Sequence, residues 1–318
     1  MKFQAVVWPG VCIALALFGL NMVGDALRDM LDRRVRARGA DGMKVPFAQK
    51  LDAGEFAVAL EITPPQRHMP RVLLRRAGLL GGAAQAINVI QRPGRQSSLD
   101  ASLELKAAGI EPAWHLVTRG RSRADIASDL EGAATGGIGQ VLCILGDHAA
   151  SDTPDTPTIR EAIALTRTAL PGAIVGATLN QYGPDEAAVL KNLVPKLRAG
   201  ASYVQTQPVF DMGTLERFAT AIEREAPETA VVAMAMPLLS LEAALRIEER
   251  LAIALPRALK EVLAGGDLEA AWGAFAATIR SLADSALVDG VAIMTFEMDP
   301  PREMGDRILA SLRAAGVA

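Results

Sequence analysis

FAVALEITPP, residues 56–65, is an apolar run that reaches a carboxylate at Glu61 and is then broken by two prolines. VLCILGD (141–147) and YVQTQ (203–207) have the same build, ending on Asp147 and on Gln207 just before PVFD. A carboxylate at the end of a buried strand loses its water and costs stability. Three polar residues at the same end of three such strands therefore point to a site. In a parallel β/α barrel, the C-terminal strand ends face the active-site mouth.

Working outward, residues 55–318 alternate short apolar runs with longer amphipathic ones, the pattern of βαβ units around a parallel sheet. Strands are predicted at 56–61, 85–90, 111–117, 140–145, 173–178, 202–207, 229–235 and 289–295. Helices are predicted between them, among others over 122–135, 185–199 and 212–225. Pro184-Asp185 opens one of these helices and Gly200 closes it. Eight such units fit a (β/α)8 TIM barrel. The rival fold, a doubly wound open sheet, needs a glycine-rich turn between strand and helix. The GGIG cluster at 136–139 precedes a strand instead, which argues against a Rossmann nucleotide site. No P-loop is present either, and Gly265-Gly266 reads as a turn.

The bulk composition narrows the function. A formal net charge of -3 gives no basic excess for nucleic acid, and aromatic residues are too sparse for a stacking platform. Cys12 and Cys143 both sit in apolar runs, with neither a disulfide framework nor metal-ligand spacing. His68 and His148 fall in loops without an HExxH-type pair, and no G-x-S-x-G elbow or Cys/His pair supports a covalent nucleophile.

The N-terminus has a different character. Residues 5–23 read AVVWPGVCIALALFGLNMV, long enough for a bilayer, which takes about 20 apolar residues. RRVRAR follows at 33–38, which keeps that side cytoplasmic. The expectation is one hydrophobic N-terminal helix over 1–36, a linker over 37–52 and a barrel over 53–318. A cytoplasmic catalytic domain would then be tethered to the inner membrane. A signal peptide or a core helix opened by Pro9-Gly10 are the other readings.

Each candidate residue has a functional and a structural explanation. Glu61, partly desolvated at a barrel mouth, would have a raised pKa and could donate a proton near neutrality; it could equally pair with Arg67. Asp147, after the permissive Gly146, either points into the mouth, or forms a turn or the N-cap of a later helix. His115 in PAWHLVT is a ligand-facing or a hydrogen-bonded core histidine. Gln207 either binds an amide-rich heterocycle or caps the loop before Pro208. Ser97-Ser98 is expected to start a helix, and could also bind a phosphate through backbone N–H groups.

ALEITPP, GIEPAWHLVTR, the DLEGA…VLCILGDH block and RAGASYVQTQPVFD together resemble the methylenetetrahydrofolate reductase family, from about residue 55 to the C-terminus. The resemblance implies an FAD-containing barrel that uses NADH or NADPH to reduce 5,10-methylenetetrahydrofolate to 5-methyltetrahydrofolate. Carried over by motif, Glu61 is the acid that protonates N10 of the folate, and Asp147 is the carboxylate beside the flavin ring. Gln207 contacts folate and nicotinamide, while His115, Gly146, Lys196 and Ala201 line or hold FAD. Leu145 stands where the family often has Arg, INVIQRPG ends the second strand where a Thr is common, Arg119-Gly120-Arg121-Ser122 replaces an RDRN-like run, and Pro195 replaces a basic residue beside Lys196. Residues 8–34 resemble the last transmembrane helix of dipeptide/oligopeptide ABC-transporter permeases. Two further readings follow: a degenerate barrel that binds folate or a partner protein without flavin, and a fragment of a transport system. Self-association into a homo-oligomer is open.

Overall fold

Eight parallel strands close into a barrel in strict sequence order in the computed structural model, which describes residues 45–146, 154–183 and 185–318. The strands are β1 (Ala57–Ile62), β2 (Ala86–Val89), β3 (Pro112–Val117), β4 (Gln140–Ile144), β5 (Ile174–Leu179), β6 (Tyr203–Pro208), β7 (Ala230–Ala235) and β8 (Gly290–Ile293). Closure is made by β1 on β8, with Val58 opposite Val291 and Leu60 opposite Ile293. Every expected strand is found, with ends displaced by no more than two residues.

A short helix, α1 (Pro46–Asp52), precedes the barrel. The outer layer then runs α2 (Pro70–Ala77), α3 (Ser98–Ala107), α4 (Arg123–Thr135), α5 (Ile159–Ala169), α6 (Glu186–Arg198) and α7 (Met212–Glu225). It continues with α8 (Leu241–Leu251), α9 (Arg257–Ala264), α10 (Leu268–Asp284) and α11 (Arg302–Ala314). Local chemistry sets their starts. Ser97 accepts a hydrogen bond from Asp100 N to begin α3, and Ser122 with Asp125 forms a reciprocal capping box on α4. Asp185 caps α6, and Gly200 follows that helix at φ 106°.

Strand parity separates two cores. Val58, Leu60, Ile62, Trp114, Leu116, Val141 and Cys143 face the helices, all buried in one large cluster. Ala57, Ala59, Ala86, Ala113, Ala230 and Ala292 face the barrel axis. Six alanines leave room that large side chains fill. Tyr203 enters from β6, with its ring against Gly176, where any Cβ would collide with it. Phe47 enters from α1 and meets Tyr203 edge-on, with centroids 5.8 Å apart and planes at 61°. Burying Phe47 and Leu51 there is worth about 2 kcal/mol each.

That packing corrects the last seven residues of the linker expected over 37–52, of which 37–44 lie outside the described residues. Pro46–Asp52 is a helix that plugs the N-terminal end of the barrel, with Phe47 only 1 % exposed, so the folded unit begins by residue 45. The hydrophobic helix expected over 1–36, with its membrane span at 5–23, lies outside the described residues. Among the described residues no helix is long and apolar enough to cross a membrane.

Candidate active site

The inward parity that begins with alanine ends with polar groups. On β1 it runs Ala57, Ala59, Glu61; on β2, Ala86, Asn88; on β3, Ala113, His115; on β6, Tyr203, Gln205, Gln207. The lower layers are sealed and apolar except where Gln140 Nε2 donates to Tyr203 Oη at 3.3 Å, while the upper ones carry the chemistry, at the C-terminal strand ends.

Glu61 and Asn88 are register partners on neighbouring strands. Gln205 reaches across the barrel to both. Its Oε1 accepts from Asn88 Nδ2 at 2.7 Å, which leaves its Nε2 to donate to Glu61 Oε2 at 3.3 Å. Asn88 and Gln205 are 1 % and 3 % exposed, so each amide depends on the other for satisfaction. Burial pushes the Glu61 carboxyl from 4.5 to about 7. The Gln205 hydrogen bond and the positive charges of Arg250 and Arg92 pull it back without overcoming the lost hydration. Glu61 therefore holds its proton until near neutrality, the condition for a general acid at physiological pH. No ion pair joins Glu61 to Arg67; the charges that act on Glu61 are Arg250 and Arg92.

Glu61 opens onto a cavity of about 440 Å³, whose wall includes Gln207, His115, Gly146, Ile144, Met236 and Arg250. A second hollow of about 500 Å³ adjoins it, sharing Gln91, His115, Val117 and Gly146. Each is within the size range of small-molecule sites. His115 belongs to both walls and is 4 % exposed, yet its Nε2 has no hydrogen-bond partner among the described residues. Burial lowers its pKa to about 3, so it is a neutral imidazole. Gly146 lines the cavity with φ 88°, and a Cβ there would run into Val117, so only glycine fits this position of the wall.

Gln207 is set by its neighbours. Its backbone N–H donates to Gln181 Oε1 at 3.0 Å and its carbonyl accepts from Gln181 Nε2 at 2.8 Å. Tyr182 Oη donates to the Pro208 carbonyl at 2.8 Å and accepts from Phe210 N at 3.1 Å. A register shift between Gln205 and Pro208 marks the same place, as β-bulges beside active sites do. The loop is thus capped by Gln181, and the Gln207 side chain lines the cavity.

The remaining expected residues divide. Lys196 reaches from α6 to the Thr178 carbonyl at 3.4 Å, and burial lowers its pKa. Thr178 lines the cavity, so the Lys196 ammonium stands just behind the wall. Ala201 is not brought to the mouth. It precedes β6 at the closed end of the barrel and is buried in the outer core. Asp147 lies outside the described residues, immediately after Gly146. Leu145, where the family often has Arg, lines the cavity and is 43 % exposed. Asn88 and Gln205 were missed in the sequence. Gln205 sits two residues before Gln207 on the same face, and that parity is the signal that finds it.

A family model described as methylenetetrahydrofolate reductase matches residues 46–299. The chain belongs to the methylenetetrahydrofolate reductase family. It is accordingly an oxidoreductase barrel, and the match begins at α1, where the folded unit begins. Among solved structures the chain is similar to the coenzyme F420 dependent tetrahydromethanopterin reductase from Methanopyrus kandleri, with TM-score 0.54 and 13% identity over 81% of this chain and 97% of that one. It is also similar to the EDTA monooxygenase EmoA from Chelativorans sp. BNC1, with TM-score 0.53 and 10% identity over 81% and 94%. At such identities the likeness is one of fold. No curated protein matches the chain. The permease likeness of residues 8–34 finds no support in these comparisons, since the family match starts downstream of it.

Proposed function

We propose that this barrel reduces 5,10-methylenetetrahydrofolate to 5-methyltetrahydrofolate, with FAD as cofactor and NADH or NADPH as hydride source. The observation that carries the reading is Glu61. It is a carboxyl that keeps its proton until about pH 7, and it faces the cavity that also holds Gln207 and the unpartnered His115 nitrogen.

The fit to a flavin rests on three features. The His115 Nε2 is a buried polar atom in want of a partner. Gly146 presents bare backbone to the cavity. Ile144, Met236 and Leu142 give apolar walls to a flat ring. His115, Gly146 and Lys196 would hold the cofactor, with Asp147 beside its ring by family resemblance. Bound there, FAD would supply the two-electron chemistry, taking a hydride from the nicotinamide and giving it to the folate.

The protein's own groups do the rest. Glu61 donates its proton to N10 of the folate, which opens the five-membered ring to a cation at N5. The Asn88–Gln205 pair fixes the Glu61 carboxyl so that its proton faces the cavity. Asp147 opposes the positive charge that develops on N5, in a mouth sheltered from water. Gln207 orients the pterin through its amide.

One feature favours a second reading, a barrel that binds folate without flavin. Leu145 puts an exposed apolar side chain where the family often has a cation. Flavin content separates the two. The reductase reading expects purified protein to carry FAD, or to take it up with the visible band of bound oxidised flavin. Protein that stays colourless after incubation with FAD rejects it.

A further inference from the structure

Two guanidinium groups converge on a sulfur at the rim of the cavity. Arg92 Nη1 and Arg95 Nη2 each lie 3.2 Å from Met298 Sδ. A thioether is a weak acceptor, and an arginine pair is matched far better by carboxylate or phosphate oxygens. A third cation, Arg250 of α8, lines the same cavity as Arg92 and Met298. Arg92 is repelled by both Arg250 and Arg95. None of the three forms an ion pair with any described residue.

The nearby carboxylates do not answer this charge. Asp299, next to Met298, is held by Arg75 at 2.7 Å and by Arg76 at 3.3 Å. Glu61 attracts Arg92 but is largely protonated below neutrality. Glu297 lines the cavity, exposed and without an ion pair to the three. Met298 itself is 44 % exposed.

We propose that Arg92, Arg95 and Arg250 form an oxyanion-binding subsite at the rim, with Met298 as a displaceable plug over it. The ligand group is a cluster of carboxylate or phosphate oxygens at the far end of a molecule whose reactive end meets Glu61. Under the reductase reading two sources carry such a group: the γ-linked glutamyl tail of a folate and the 2′-phosphate of NADPH. The positive rim would also draw anionic substrates toward the mouth, an effect that weakens with salt.

The test is isothermal titration of the full chain, at low ionic strength, with two probes: γ-linked triglutamate and adenosine 2′,5′-bisphosphate. Neither contains a pterin or a nicotinamide, so the result stands apart from the reductase reading. At least one probe should bind, and the one that does names the source. Arg92→Gln and Arg250→Gln should each weaken it by about tenfold or more, with unchanged melting temperatures. Met298→Leu should bind at least as tightly, because the plug contributes nothing to the anion. Failure of both probes to bind, or unchanged affinity in both arginine variants, overturns the subsite. Loss of affinity in Met298→Leu overturns the role of the plug.

Discussion

Replacing Glu61 by Gln tests the proton donor through stability as well as activity. The carboxyl is raised from 4.5 to about 7 by burial. One unit is worth ~1.4 kcal/mol, so ionising Glu61 in the fold costs about 3 kcal/mol, and about 2 where solvent reaches this half-buried side chain. The sign follows from linkage. Below about pH 4.5 both folded and unfolded states hold the proton and no penalty exists. Between 4.5 and about 7 only the folded state holds it, so stability falls as pH rises. Above about 7 both are ionised and the full penalty persists. The Gln variant never ionises. Its stability relative to the wild type should therefore rise by 2–3 kcal/mol between about pH 4 and pH 8.5, measured by urea denaturation followed by circular dichroism. The same variant should keep reduction of the flavin by NAD(P)H and lose folate reduction, seen by stopped-flow of each half-reaction. A stability difference that stays flat with pH, or equal loss in both half-reactions, refutes the desolvated acid.

Gln205→Leu removes the N–H that lowers the Glu61 pKa, so the alkaline limb of the folate half-reaction should move to higher pH. It also strands the Asn88 amide, at about 1–3 kcal/mol of stability; an unmoved limb rejects the hold of Gln205 on the Glu61 carboxyl. Asp147→Asn should raise the flavin midpoint potential and slow folate reduction. An unchanged potential with about 1 kcal/mol lost would mark a turn or cap instead. Phe47→Ala should cost about 3–5 kcal/mol in denaturant titrations, whereas deletion of residues 1–40 should leave the melting temperature unchanged; the reverse pattern would contradict the plug.

The barrel was legible because its strands are buried on both faces and stand out as short apolar runs between amphipathic ones. Met212–Glu225 matches the expected helix residue for residue, and Ser97, Ser122 and Asp185 supply its neighbours with side-chain caps. The plug was not legible. Pro46–Asp52 is only seven residues long, its N-cap Val45 makes no capping bond, and it is held by tertiary contact with Tyr203. The site was half visible. Glu61 and Gln207 announce themselves as polar ends of apolar strands. Asn88 and Gln205 are 117 positions apart and meet only because closure brings β2 and β6 across one interior. Ala201, assigned to FAD by motif, shows the opposite error: a matched sequence position that the chain direction carries to the far end of the barrel.

In the proposed reaction one cavity passes a hydride from nicotinamide to folate by way of a flavin. The most direct measurement is the anaerobic visible spectrum of the FAD-loaded protein through both half-reactions. Addition of NADH or NADPH should bleach the flavin band. Addition of 5,10-methylenetetrahydrofolate should then restore it, with one equivalent of 5-methyltetrahydrofolate formed per flavin. A band that NAD(P)H does not bleach, or a bleached flavin that the folate does not reoxidise, rules out the proposed reaction.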